Sequence, residues 1–275
     1  MANAFFSDLL STISERGRVL LGRASPANDK QDASELLELC EALLSGRGEA
    51  SGTAMAREVL DRYHHLDAAG RLSFFQTLAR DFGPDHARLA QAIDAWRAKA
   101  NGEDASDLHF ASEPRRQELI RRLNRAPGGT GELVSIRSDL LSLMKGNKDL
   151  AALDRDVVHL LSSWFNRGFL VLRRIDWSSP ANILEKIIRY EAVHEIRDWD
   201  DLRRRIDPVD RRCYAFFHPA LADEPLIFVE VALTEAIPGA IAPLLAEERE
   251  PVPAEKARTA VFYSISNTQR GLGGI

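Results

Sequence analysis

Three glycines fall within four residues near the end of this sequence, in Gln269-Arg270-Gly271-Leu272-Gly273-Gly274-Ile275, shortly after the apolar stretch Thr259 to Ser266. Backbone without side chains can approach a pyrophosphate closely, its N–H groups can converge on the oxygens, and Arg270 can add a positive charge. A turn of this kind ordinarily feeds a helix whose N-terminus holds the anion. Here the sequence stops at Ile275. Either the phosphate site is built from something else, or the chain is the front part of a longer enzyme whose remaining chemistry lies beyond Ile275; the second is the expectation. The same glycines also suit a hairpin or a surface turn, and spacing alone leaves that open. The run matches neither G-x-G-x-x-G nor the P-loop, which needs Lys-Ser or Lys-Thr after its last glycine, so nicotinamide cofactors and ATP are disfavoured.

Other reactive side chains lack partners at a telling spacing. His64 and His65 end a helical run, where adjacent residues face different directions and cannot share a metal without further ligands. His194, in Glu191-Ala192-Val193-His194-Glu195, and His218, at a strand end, stand where clefts form, but neither has a partner of the zinc-binding kind, and no metal is expected. Ser264 and Ser266 flank Ile265 and so share one face of a strand. A nucleophilic serine needs a base within reach, which a sequence cannot show, and both are read as hydroxyls on the less buried face. Arg115, Arg116, Arg121, Arg122 and Arg125 make a basic helix surface, interleaved with Glu113 and Glu118. It is read as solvated or subunit-facing, as is Arg203-Arg204-Arg205 with a reserve for an acidic ligand; no nucleic acid is expected.

The elements that must position these residues change character along the chain. At 275 residues the length favours two domains, and 45% hydrophobic with 28% charged residues at net charge −5 describes an ordinary globular protein. To about residue 163 the apolar residues recur at helical spacing. Phe5/Phe6, Leu9/Leu10, Ile13 and Leu20 form one stripe, and Leu36, Leu37, Cys40, Leu43 and Leu44 form a second, ending at Gly46-Arg47-Gly48. Leu72, Phe75, Leu78 and Phe82 precede Gly83-Pro84, and Leu89, Ile93 and Trp96 follow. Ser112 with Pro114 marks the start of the helix bearing Leu119, Ile120 and Leu123. Ala126 to Gly131 breaks it, and stripes Leu133/Ile136/Leu140 and Leu150/Leu153/Val157/Leu160 complete the helical part. From about residue 164 strand formers take over at 168–176, 213–218, 226–234 and 259–266, with helices at 180–192 and 199–206 between them. An all-helical domain, 1–163, would precede an α/β domain, 164–275, in which a buried final strand runs into the glycine turn.

Cys40 and Cys213 lie in apolar surroundings and are read as small core residues in a reducing compartment. No apolar run reaches membrane-spanning length. Residues 3–22 carry an amphipathic pattern with Arg16, Arg18 and Arg23 alongside it, but Asp8 and Glu15 depart from the acid-poor presequence pattern, and a cytoplasmic location is expected.

Several blocks resemble the catalytic domain of the malonyl-CoA decarboxylase family in its order: Trp164 to Pro180, Glu191 to His194 with Trp199, Arg211 to Tyr214, Pro225-Leu226 with Val231 to Thr234, and Phe262 to Ser266 leading to Gln269 to Leu272. The helical half is similar in length and class to the family's N-terminal domain. The resemblance implies conversion of malonyl-CoA to acetyl-CoA and CO2 through a thioester enolate, with no metal or organic cofactor. It further implies a helical domain that homo-oligomerises and an incomplete α/β domain similar to the N-acetyltransferase (GNAT) fold. The family's malonyl-CoA-binding loop maps onto Gln269, Arg270, Gly271, Leu272, Gly273, Gly274 and Ile275. The acetyltransferase loop pattern fits Arg270 and Gly273 but places Ile275 where Gly or Ala is usual. The family's catalytic serine and histidine stand in motifs that follow this loop and are not found here, so no catalytic role is carried to Ser264, Ser266 or any histidine, and the 275-residue chain alone is expected to be inactive. Where some members have a crosslinking cysteine, this chain has Ala181. Two other readings are kept: an acyl-CoA-dependent N-acyltransferase, and a non-catalytic helical assembly module.

Overall fold

The structure is a computed structural model that describes residues 33–45, 49–98 and 104–275. The stripe at Phe5 to Leu20 and the glycine stop at Gly46-Arg47-Gly48 lie outside the described residues. The chain divides into two compact units, one ending at Ser163 and the other running Trp164–Gly274. No helix among the described residues is long and apolar enough to cross a membrane.

The first unit is helical. Its elements are α1 (Ala33–Leu44), α2 (Glu49–His65), α3 (Ala68–Asp81), α4 (His86–Ala98), α5 (Ser106–Ser112), α6 (Arg115–Leu123), α7 (Gly129–Leu143) and α8 (Ala151–Trp164). Leu36, Leu39, Cys40 and Leu43 of α1 are buried at the spacing that keeps one helix face inward. Tyr63 of α2 stacks obliquely against Phe74 and Phe75 of α3 at centroid distances of 5.6 and 5.9 Å. Its hydroxyl donates to Asp139 at 3.0 Å, so the ring is buried while its polar tip is satisfied. Asp67 caps α3 by accepting from the Gly70 N–H at 2.7 Å.

Three expectations need correction here. Ser112 does not start α6; its hydroxyl donates to the His109 carbonyl and closes α5. The N–H groups of Arg115 and Arg116 are satisfied instead by the carbonyls of Gly83 and Phe82, so a distant turn does the work of a cap. The break after α6 is shorter than Ala126 to Gly131, because α7 already begins at Gly129, directly after Gly128 with φ 73°. The stripe Leu89/Ile93/Trp96 exists on α4, but that helix buries none of its residues.

The basic surface is also reassigned. Arg116 is buried, paired with Asp156 at 2.5 Å and bonded to the Ala79 carbonyl. Arg115 pairs with Glu41, Arg121 with Glu113, and Arg122 with Glu118. Arg122–Glu118 and Arg121–Glu113 are local pairs, but Arg115 with Glu41 and Arg116 with Asp156 tie α6 to acids 74 and 40 positions away, which local spacing does not reveal.

The second unit is a four-stranded, wholly antiparallel sheet in the order β1-β2-β3-β4: β1 (Val171–Ile175), β2 (Arg211–Phe217), β3 (Ile227–Thr234) and β4 (Thr259–Asn267). Helices α9 (Ala181–Tyr190) and α10 (Trp199–Ile206) lie between β1 and β2 in the chain, and the short α11 (Ala242–Leu245) between β3 and β4. One sheet face is the core: Ile175, Cys213, Ala215, Phe217 and Phe228 pack against Ile183, Leu184 and Ile187 of α9 and Leu202 and Ile206 of α10. β1 is shorter than the expected 168–176, because Arg167–Phe169 forms a 3-10 turn capped by Asn166. Among the described residues β4 pairs only with β3, and it is half-exposed rather than buried, with Phe262 and Ile265 65% and 60% accessible.

Candidate functional site

The glycine turn is held at the end of β4 by the hairpin joining β2 to β3. Thr268 donates its N–H to the Leu226 carbonyl at 3.0 Å, and its hydroxyl donates to Pro225 and Leu226 carbonyls. Gln269 donates its N–H to Asn267 Oδ1 at 3.1 Å, and its side-chain amide reaches Glu224 at 3.5 Å. Glu224 in turn pairs with Lys186 of α9 at 2.5 Å. In that hairpin Asp223 takes φ 59°, a left-handed conformation that aspartate tolerates better than bulky residues. Arg270–Leu272 then makes one 3-10 turn, closed by the Leu272 N–H to the Gln269 carbonyl and the Gly273 N–H to the Arg270 carbonyl, at 2.9 and 3.0 Å. Gly271 and Leu272 are buried, Arg270 is exposed, and Gly274 has φ 80°. A side chain at Gly274 would strain the backbone. Ile275 is 41% accessible. The turn thus presents one cation and glycine backbone on a seat fixed by side chains, an arrangement suited to an anionic group.

Ser264 and Ser266 do share a face, but it is the buried one, with accessibilities of 2% and 1%. The reason is a bulge: Glu230 pairs with Ser264 and Val231 with Phe262, leaving Tyr263 as the extra residue and turning Tyr263 and Ser264 inward together. Both hydroxyls donate to the Glu191 carboxylate, Ser264 at 2.7 and 2.8 Å and Ser266 at 3.2 Å. The same carboxylate accepts from the N–H groups of Val193 and His194 at 2.8 Å each. A serine hydroxyl donating to a carboxylate in this buried setting is a structural tie.

Beside this tie lies a charge buried in the middle of β3. Glu230 has no accessible surface. Arg205 of α10 faces it at 3.4 Å, and the same guanidinium donates to the His194 and Glu195 carbonyls at 2.7 Å. Arg205 is therefore buried and paired with Glu230 and Asp201, not a solvated cation awaiting an acidic ligand. Among the described residues Glu230 Oε1, the Tyr263 hydroxyl and Arg205 Nε find no hydrogen-bond partner. Burial lifts the Glu230 carboxyl to about 7, opposed by the charge of Arg205 and assisted by that of Glu191. The sequence signal was a lone acid inside the otherwise apolar run Leu226 to Leu233.

The sign of this shift yields a test. A folded-state value above the usual carboxylate range means that the proton stabilises the native unit; that contribution is complete below about 4.5 and is lost as pH rises through about 7. Glu230→Gln should remove the loss, on the order of 3 kcal/mol. The check is the difference in urea midpoint between variant and wild type at pH 5 and pH 8, which should widen in the variant's favour at pH 8. Subtraction cancels His218, whose value burial lowers and which therefore acts in the opposite sense.

Of the histidines only His194 adjoins these groups, through its backbone on Glu191 and Arg205. His218 is buried 4.7 Å from the Phe165 ring centroid, with Nδ1 accepting from the Ala220 N–H. The His194 ring lies 6.3 Å from that of Tyr263. His64 pairs with Glu132 and His65 with the Asp61 carbonyl. Among the described residues no group of three or more His, Cys, Asp or Glu side chains is arranged to hold a metal.

Fold and site together define a two-part protein: a helical N-terminal unit, then an antiparallel sheet covered by two helices and ending in a glycine turn. Comparison with known proteins gives the family. The malonyl-CoA decarboxylase N-terminal domain profile matches residues 82–165 and the malonyl-CoA decarboxylase C-terminal domain profile residues 168–275, so the chain belongs to the malonyl-CoA decarboxylase family. Mitochondrial malonyl-CoA decarboxylase of Anser anser anser is 40% identical over 239 residues, 79% of this chain and 46% of that protein. The enzyme so named from Rattus norvegicus is 36% identical over 224 residues, 76% of this chain and 45% of that protein. The crystal structure of malonyl-CoA decarboxylase from Rhodopseudomonas palustris superposes with a TM-score of 0.86 at 61% identity, covering 90% of this chain and 60% of that one. The one from Agrobacterium vitis gives 0.83 at 57% identity, over 87% and 58%. The chain spans about half the length of the curated relatives it matches.

Proposed function

We propose that this chain is the acyl-CoA-binding part of a malonyl-CoA decarboxylase, which converts malonyl-CoA to acetyl-CoA and CO2. The observation that carries the reading is the turn Gln269 to Ile275, seated after β4 inside a region matched end to end by the family's C-terminal domain profile. Arg270 and the glycine backbone would receive the pyrophosphate, with Gln269 and Leu272 shaping the turn. Loss of CO2 from a malonyl thioester leaves an enolate, whose oxygen needs hydrogen-bond donors and whose carbon needs an acid. We assign neither role within residues 1–275: Ser264 and Ser266 are engaged by Glu191, and His218 is enclosed by aromatic rings.

The succession β1, two helices, β2, β3, β4, glycine turn favours a GNAT-like unit. The reading takes the helical unit as a homo-oligomerisation module and requires neither metal nor organic cofactor. Two buried free cysteines, Cys40 and Cys213, favour a reducing compartment, which we take to be the cytoplasm although two relatives carry "mitochondrial" in their names.

Calorimetric titration of the chain with malonyl-CoA tests the reading. Binding is expected, and Arg270→Glu should weaken it roughly tenfold or more, since one charge-assisted hydrogen bond is replaced by repulsion. A wild-type chain that melts cooperatively yet binds no acyl-CoA would refute the assignment of the turn.

A further inference from the structure

We infer that Glu191 is a positioning residue for the glycine turn: it fixes the end of β4 so that the backbone from Asn267 to Gly274 is held in its ligand-receiving shape. The inference rests on the acyl-CoA reading of that turn. Glu191 follows α9 directly and is itself anchored, since its Oε1 accepts from the N–H groups of Val193 and His194 at 2.8 Å each. From that anchor the carboxylate accepts Ser264 Oγ on both oxygens and Ser266 Oγ on Oε2. Ser266 also accepts from the Ala192 N–H at 3.3 Å, so the tie to β4 is made by side chain and backbone together.

The position of this tie is what gives it a role in binding. Among the described residues β4 pairs with β3 on one side only, and its outward residues Phe262 and Ile265 are exposed. An edge strand with a bulge has few constraints on register beyond its single ladder. Ser266 is the penultimate residue of β4, and Gln269, the first of the turn, stands three positions later. At the end of β4 the Glu191 tie works beside the ladder pairs Phe228 with Ser266 and Ile227 with Asn267 and the Thr268 bond to Leu226, so a displacement at Ser266 loosens one side of the seat of the turn, whereas the ladder farther back, Val231 with Phe262 and Thr234 with Thr259, is independent of Glu191. A carboxylate suits this place because it accepts from four donors and has none of its own to conflict with them. Glutamine would keep one accepting oxygen and turn an NH2 toward donors.

Hydrogen exchange and calorimetry on the full 275-residue chain decide the matter. In Glu191→Ala the amides of residues 268–274 should exchange about tenfold faster while those of β2 and the β2–β3 ladder keep their rates, and the malonyl-CoA Kd should rise about tenfold. Glu191→Gln should fall between, and Ser266→Ala, which removes one hydroxyl from a buried site, should give the same local pattern if the glutamate variants fail to fold. Unchanged exchange at 268–274 in these variants overturns the proposal, as does acceleration spread equally over β2 and β3, which would make Glu191 an ordinary support of the unit. If the wild-type chain binds no malonyl-CoA, the acyl-CoA reading falls by itself and exchange alone still judges whether Glu191 orders the turn.

Discussion

Asp210→Ala should destabilise the second unit by about 3–5 kcal/mol, the cost of leaving a buried cation unpaired. Asp210 is 1% accessible and Arg211, beside it, 2%. The carboxylate receives Arg249 at 2.6 and 3.0 Å, the Val252 N–H at 3.1 Å and Arg211 at 3.5 Å, while Arg211 also donates to the Leu244 carbonyl at 2.7 Å. One acid thus ties Arg249 and Val252, in the excursion between β3 and β4, to the start of β2. Its removal strips the pairing from Arg211, which burial and the neighbouring Arg249 already push below the ordinary guanidinium range. Burial raises the Asp210 carboxyl, but the hydrogen bonds from Arg249 and Val252 and the charge of Arg211 outweigh it and leave the net value lowered. The sign follows: this stability is present above the ordinary aspartate range and is lost as pH falls through the lowered folded value. Amide exchange in β2 and β3 is the right measurement, because a chain of two units need not unfold in one step. Protection in β2 and β3 that survives Asp210→Ala unchanged would show that the network is ornamental.

Gly129→Ala should cost the helical unit about 2–4 kcal/mol, far more than the few tenths usually attached to a glycine at a helix start. A Cβ at Gly129 would stand 2.4 Å from the Leu123 carbonyl oxygen and 3.2 Å from backbone atoms of Asn124. All three are main chain, so no side-chain rotation relieves the clash, and α7 must shift relative to the end of α6. Gly128 provides the control. It has φ 73° but open space around it, so Gly128→Ala meets only the left-handed penalty of about 1 kcal/mol. Thermal melts should rank Gly129→Ala well below Gly128→Ala; the reverse order would mean that the chain relaxes around the contact.

Which features were legible in advance follows from the range of the interactions behind them. The strands at 171–175, 211–217, 227–234 and 259–267 and the helices on either side of residue 190 were readable because period and propensity are local properties. The turn at Gln269 to Ile275 was readable because three glycines in four residues serve few purposes. The burial of Ser264 and Ser266 was not, since a single inserted residue, Tyr263, reverses the alternation on which the face assignment depended. Ser112 misled because the donors it seemed placed to cap were already taken by carbonyls at Phe82 and Gly83.

By itself, then, the sequence determined the helical-to-strand division, the glycine turn and, through its ordered blocks, the family. Tertiary structure alone decided which charges are buried and with whom: Arg116 with Asp156, Arg205 with Glu230, Asp210 with Arg249, and Glu191 with two serines more than 70 positions away. The physical reason is that hydrophobic periodicity is repeated within each element and can be read from any part of it, whereas a buried ion pair is a single contact between distant segments whose meeting depends on the finished fold.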